Sequence, residues 1–90
     1  MSQCQHQNEV LIAKINRGEK IVASILKFCQ QNKINGAWVC GIGAISEIKL
    51  ALYNLDKKNY SKKRLTGPFE IASLSGNVGL LKSKHVAHLH

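Results

Sequence analysis

The sequence predicts an α+β domain in which one main helix packs on a mostly antiparallel β-sheet. Only one segment, residues 19–33, shows the apolar spacing of an amphipathic helix. Most other apolar segments are strand-like and are separated by short polar turns. Short turns join antiparallel neighbours, so the predicted order is β-α-β-β-β-β-β within a single domain.

The first predicted strand covers residues 9–15, EVLIAKI. Its apolar side chains occupy both parities, which is typical of a strand buried on both faces or of one in a small layered fold. The following Asn16-Arg17-Gly18 is predicted to form a turn. Residues 1–8 are predicted to form an N-terminal arm, and residues 9–90 the domain itself.

The predicted helix, residues 19–33, has Glu19 in its first turn and Lys33 near its end, which suits the helix dipole. Asn35-Gly36 then acts as a stop signal. One stripe of the helix is apolar and consists of Val22, Ile25, Leu26 and Cys29.

Five strands are predicted after the helix, over residues 37–45, 47–55, 60–67, 68–81 and 85–90. The parity of the apolar residues slips within the fourth, because Phe69 and Ile71 share one parity and Leu74 takes the other. A β-bulge near Ala72–Ser73 explains the slip. The last strand stops at His90, so either another subunit completes the sheet or the chain is a shortened version of a longer domain.

The net charge of +8 permits binding to nucleic acid or another polyanion without establishing it. Residues 57–64, KKNYSKKR, hold five cations around a tyrosine that is available for stacking. The alternative is a solvated hairpin whose lysines discourage edge-to-edge pairing. The candidate nucleic-acid-binding residues are Lys57, Lys58, Tyr60, Lys62, Lys63 and Arg64.

The remaining composition indicates a cytoplasmic protein. No apolar run approaches the ~20 residues that span a bilayer, and the N-terminus lacks the features of a secretory signal. The three cysteines form neither a disulfide framework nor a zinc ribbon, and Cys29 and Cys40 are predicted to be reduced core thiols.

His88 and His90 form an H-x-H pair. Alternate residues of a strand point the same way, about 6.5–7 Å apart, so the two imidazoles can share one Zn²⁺ or similar ion. Two ligands are not enough for a stable site, which needs three or four. The alternative is a pair of solvent-facing histidines at the end of a strand.

Other motifs carry little chemistry. Gly41 and Gly43 match only the start of a dinucleotide-binding loop, and a strand rather than a helix follows them. We therefore expect these glycines to permit close backbone approach or a bulge. The five acids are scattered, with no paired carboxylates, so no catalytic residue is assigned and an enzyme is not favoured.

Two segments, GIGAISEIKLALYN (41–54) and GPFEIASLSGNVG (67–79), followed by HLH (88–90), together resemble the PPC (plants and prokaryotes conserved) domain. The resemblance covers nearly the whole chain from about Val10 onward. It implies an α+β fold around an antiparallel sheet, usually assembled as a trimer. It also implies a DNA-associated role, and in some members a metal, often zinc, held by histidines that here would include His88 and His90.

The sequence departs from the family pattern in three places. It has no AT-hook, the element with which plant members bind AT-rich DNA. Pro68 and Ala72 stand where plant members carry arginine and leucine. Members also continue beyond the H-x-H pair, so the resemblance implies C-terminal truncation, with further strands and another candidate ligand missing.

These observations favour a non-enzymatic, homo-oligomeric DNA-binding or regulatory module, with the trimer of the family and no membrane partner. The alternative is a zinc-dependent small-molecule-binding protein or enzyme that uses His88 and His90. A third possibility is a fragment of a longer PPC protein that folds poorly or only by self-association.

Overall fold

The computed structural model describes residues 10–90, and in that part of the chain it has one helix and a three-stranded antiparallel sheet. The predicted α+β-like character is therefore confirmed. The predicted arm, residues 1–8, lies outside the described residues. The elements are α1 (Ile21–Gln31), β1 (Ala37–Asn54), β2 (Asn59–Leu81) and β3 (Lys84–Leu89), and the strand order is β1-β2-β3.

The helix is shorter at both ends than the apolar pattern predicts. It ends because Lys33 adopts a left-handed conformation with φ of 55°. The Ile34 backbone N–H then donates to the Cys29 carbonyl oxygen at 2.8 Å, and the Lys33 N–H donates to that of Gln30 at 3.3 Å. These two bonds form a Schellman motif, which closes α1 before the predicted stop at Asn35-Gly36.

The prediction of a strand over residues 9–15 is wrong for its described part. Residues 10–15 form no strand, and Val10 and Ile12 are largely exposed. An apolar run becomes a strand only where a neighbour pairs with its backbone, and no strand within residues 10–90 does so here. The predicted turn at 16–18 is confirmed, with Gly18 at φ of 92°.

Two pairs of predicted strands are each one continuous strand. Residues 37–45 and 47–55 merge into β1, and residues 60–67 and 68–81 merge into β2. The connection between them is tight because the Asn54 side-chain oxygen accepts the backbone N–H of Asp56 at 2.9 Å and that of Lys57 at 3.1 Å. The predicted turn before β3 is confirmed.

The predicted bulge is confirmed by the register of β1 against β2. Gly41 pairs with Leu74 and Gly43 pairs with Ile71, so β2 carries one extra residue at Ala72–Ser73. Leu74 and Ile71 therefore face the same side of the sheet although their numbers differ in parity.

A second bulge was not predicted. Ile45 pairs with Phe69 and Glu47 pairs with Thr66, which places another extra residue of β2 at Gly67–Pro68. Proline has no N–H to give to a ladder, so this unpaired position accommodates it. Each bulge lets β2 bend locally between the turn that follows β1 and the turn that precedes β3.

The buried apolar residues of the described chain lie on α1 and on the part of β2 that pairs with β3. Cys29 and Val78 are buried, and α1 contacts β3. Packing of the helix across the whole sheet stays a prediction. The expectation that Cys40 is a core thiol is wrong, because Cys40 is exposed and alternates with the half-buried Val39.

The backbone of β3 lies very close to Gly76 of β2. A Cβ at Gly76 would overlap the backbone carbonyl of His88 and lie 2.8 Å from the Leu89 Cα, whereas a Cβ at Gly79 meets nothing within 4 Å. Gly76→Ala should therefore lower the free energy of unfolding by more than about 2 kcal/mol, and Gly79→Ala should change it by less than about 1 kcal/mol. Urea unfolding followed by circular dichroism measures both; equal effects would contradict the close approach.

Candidate nucleic-acid interface

The part of the β1–β2 hairpin nearest its turn carries cations and aromatic rings on one face. Register pairs of residues lie opposite one another across the two strands, and side chains two residues apart share a face. Lys49 pairs with Arg64, and Tyr53 pairs with Tyr60. We call this surface the basic hairpin face; it consists of Lys49, Tyr53, Tyr60, Lys62 and Arg64, all exposed.

The structure brings the six sequence-predicted residues to one end of the molecule but not to one face. Lys57 and Lys58 lie in the turn at the tip. Lys63 pairs with Leu50 and points to the face opposite Lys62 and Arg64. The tip therefore presents charge in several directions, and the basic hairpin face holds only part of it.

Two residues of this face lie outside the run of charge at residues 57–64, because they belong to the preceding strand. Lys49 and Tyr53 share the parity of Ala51 in β1, and that alternation was the available signal. The rings of Tyr53 and Tyr60 have centroids 5.1 Å apart at an interplanar angle of 73°, which is an edge-to-face pair. They remain 50% and 62% exposed, so the pair is accessible to a ligand.

Arg64 donates a hydrogen bond from Nη2 to Oε2 of Glu47 at 2.7 Å, the one ion pair among residues 10–90. This bond, and then the charge of Arg64, lowers the pKa of Glu47 and raises the pKa of Arg64. Both side chains are well exposed, so water and salt screen the pair. Glu47 thus offsets one of the positive charges of the basic hairpin face.

The H-x-H pair lies at the end of β3. His88 pairs with Asn77, and His90 exchanges two backbone hydrogen bonds with Ser75, of 2.9 and 2.7 Å. His85 has the opposite parity, and its Nε2 lies 2.8 Å from the carbonyl oxygen of Ile34.

No group of three potential metal-ligating side chains occurs within residues 10–90. The described residues therefore supply two imidazoles and not a complete zinc site.

An open groove of about 520 Å³ joins the two candidate regions. The tyrosine pair forms part of its wall, and His88 and His90 form another part. The sequence placed these residues in separate motifs, and the fold brings them to one groove.

The glycine pair has the structural role that the sequence predicts. Gly41 and Gly43 lie within β1 at the first bulge, and no helix follows them. A Cβ at Gly41 would lie 3.3 Å from Cδ2 of Leu74, and Gly43 has φ of 148°. The segment lacks the helix N-terminus that a dinucleotide pyrophosphate requires.

The family model of the Plants and Prokaryotes Conserved (PCC) domain matches residues 2–90. The chain belongs to this family. The resemblance carried by the glycine segments and the H-x-H pair is thereby confirmed. A comparison with curated proteins finds no match.

Three solved structures are similar to this chain. A candidate DNA-binding protein from Bacteroides thetaiotaomicron is 33% identical (TM-score 0.80), with 83% of this chain and 52% of that protein covered. A metal-containing protein from Archaeoglobus fulgidus is 35% identical (TM-score 0.80), with 90% and 61% covered. A plant- and prokaryote-conserved protein from Pyrococcus horikoshii is 32% identical (TM-score 0.76), with 83% and 52% covered.

The chain thus spans between about half and three fifths of the length of these proteins. Within residues 10–90 there is no helix of the length and apolarity that a membrane crossing requires.

The Glu47–Arg64 pair predicts a measurable titration. Because the folded-state pKa of Glu47 is lowered, the pair contributes stability above the ordinary glutamate pKa of about 4.3 and loses it as the pH falls through the lowered value. Arg64→Ala should return the Glu47 pKa toward its ordinary value, whereas Lys49→Ala should move it less. Carboxyl ¹³C NMR titration measures both; an unchanged pKa in Arg64→Ala would contradict the pairing.

Proposed function

We propose that this chain is a non-enzymatic, oligomeric DNA-binding or regulatory module that contacts phosphates with the tip and basic face of its hairpin. The observation that carries the proposal is the concentration of charge there: residues 47–66 hold six lysines and arginines against two acids. Each of the six cations is exposed. Apart from Arg64, none forms an ion pair with a residue of the described chain.

This arrangement suits a polyanion better than a small acidic ligand. The cations are spread along a hairpin rather than gathered round a cavity, and lysine and arginine neutralise phosphates at a surface by releasing condensed counterions. Such contacts are electrostatic and do not distinguish one base sequence from another. The similarity to a candidate DNA-binding protein of 33% identity supports the same partner.

Self-association is part of the proposal. Trp38 and Ile42 alternate along β1 and are 73% and 93% exposed, on the face where Cys40 is also exposed. Large apolar side chains gathered on one face mark an interaction surface. We assign this face to contact with other copies of the chain, in the trimer that the family resemblance implies.

Phosphate contact predicts a change in salt dependence. Lys57→Ala with Lys58→Ala removes two charges from the tip and should reduce the slope of log affinity against log salt by about 2 for a duplex DNA. Fluorescence anisotropy between about 50 and 200 mM salt measures the slope.

The matched control is Lys82→Ala with Lys84→Ala, at the other hairpin turn. It removes the same charge, and Lys82 shares the φ of 51° found at Lys58. This control should leave the slope nearly unchanged. An equal reduction of the salt slope in the two variants would show that net charge alone drives binding. If the protein bound no DNA in a salt-sensitive way, the proposed function would be overturned.

A second candidate function is metal-dependent, with zinc held by His88 and His90 in a ligand-binding protein or enzyme. It is favoured by the shared parity of the two histidines on β3 and by the similarity to a metal-containing protein of 35% identity. Further ligands would have to come from outside the described residues.

Elemental analysis of the purified protein tests the metal-dependent candidate. It predicts stoichiometric zinc that is lost when His88 and His90 are both changed to alanine. The His85→Ala variant should retain the metal, because His85 faces the other side of the strand. A metal content that is the same in all three proteins would remove this candidate.

A further inference from the structure

We propose that the basic hairpin face takes single-stranded rather than duplex DNA, and that an unpaired base stacks in the groove between the tyrosine pair and the end of β3. This inference rests on the proposed function and specifies its ligand. It depends on three features of the described residues: exposed aromatic rings, a groove beside them and cations on the same face.

The tyrosine rings are the first feature. Aromatic side chains of a soluble domain are usually covered, yet Tyr53 and Tyr60 are at least half exposed and packed edge to face. An edge-to-face pair leaves ring surface free for stacking. A base can use that surface only when it is unpaired, because duplex bases stack on their own neighbours and flipping one out costs a few kcal/mol.

The groove is the second feature. It is open to solvent and has a volume of about 520 Å³, so a base could enter it without any rearrangement of the chain. Tyr53 and Tyr60 line it from the hairpin, and His88 and His90 line it from β3. Residues of two elements thus border the groove, and the tyrosine rings on its hairpin side suit a flat ligand such as a nucleobase.

The cations are the third feature. Lys62 lies two residues from Tyr60 on the same strand face, and Arg64 lies two residues further. Lys49 pairs with Arg64 across the hairpin. Phosphates that flank a stacked base would therefore meet positive charge on the same strand face as Tyr60, which is the arrangement found where single strands bind by stacking and charge together.

Anisotropy titrations of the whole chain test this at low salt with four ligands of equal length. They are a single-stranded DNA, its duplex, an abasic strand with the same phosphates, and the matching RNA. The DNA strand should bind about tenfold or more tighter than the duplex and the abasic strand. The RNA should bind no tighter than the DNA.

Variants of Tyr60 locate the stacking. Tyr60→Ala should weaken single-strand binding by between about 5-fold and 100-fold, the loss of one base–aromatic stack, and change duplex binding by less than about 2-fold. Tyr60→Phe keeps the ring and should bind like the wild type. The salt slope should be the same in all three proteins, because the phenol ring neutralises no phosphate.

The outcomes separate the two proposals. Duplex or abasic DNA bound as tightly as the single strand, or binding insensitive to Tyr60→Ala, would overturn the stacking inference while DNA binding stands. Tighter binding of the RNA would overturn the assignment to DNA. The comparison with the abasic strand needs no variant, so it decides the matter even if Tyr60→Ala fails to fold. An absence of salt-sensitive binding to every ligand would overturn the proposed function itself.

Discussion

The antiparallel pairing of β1 with β2 is the interaction on which the rest of the structure depends. It joins residues 37–54 to residues 59–78 and supplies most of the backbone hydrogen bonding of the sheet. Two extra residues in β2 keep apolar side chains of different parity on one face and bend the strand. The same pairing fixes which side chains of the hairpin stand together. The candidate interface is therefore a consequence of register.

The described chain has little of the burial that stabilises a domain by itself. Cys29 and Val78 are its buried apolar residues, while Trp38, Ile42 and Leu52 are mostly exposed. Covering exposed apolar groups of this size with another surface lowers the free energy of the protein. This imbalance supports the proposed self-association. Oligomerisation would also place several basic hairpins on one particle, so that a long polyanion could engage more than one of them and bind with greater avidity.

Alternation and turn chemistry in the sequence predicted the helix, the turns and the bulge at Ala72–Ser73, and the resemblance of two segments and the H-x-H pair predicted the family. They failed at residues 10–15, because an apolar run does not show whether a strand lies beside it. The bulge at Gly67–Pro68 was missed, since proline there also fits the start of a strand. Lys62 and Lys63 were predicted as one cluster, yet they face opposite sides. The groove lined by Tyr60 and His88 was beyond prediction, because these residues belong to segments whose distance in space the sequence does not show.

The central claim is that nucleic acid binds to the part of the β1–β2 hairpin nearest its turn. The most direct measurement is an ¹⁵N–¹H NMR titration of the chain with a short DNA strand, followed residue by residue. The account predicts that the amides of residues 49–64 shift most, with smaller shifts at residues 87–90 beside the groove. Shifts centred on α1 or on the turn at residues 82–83, with the hairpin unchanged, would contradict it.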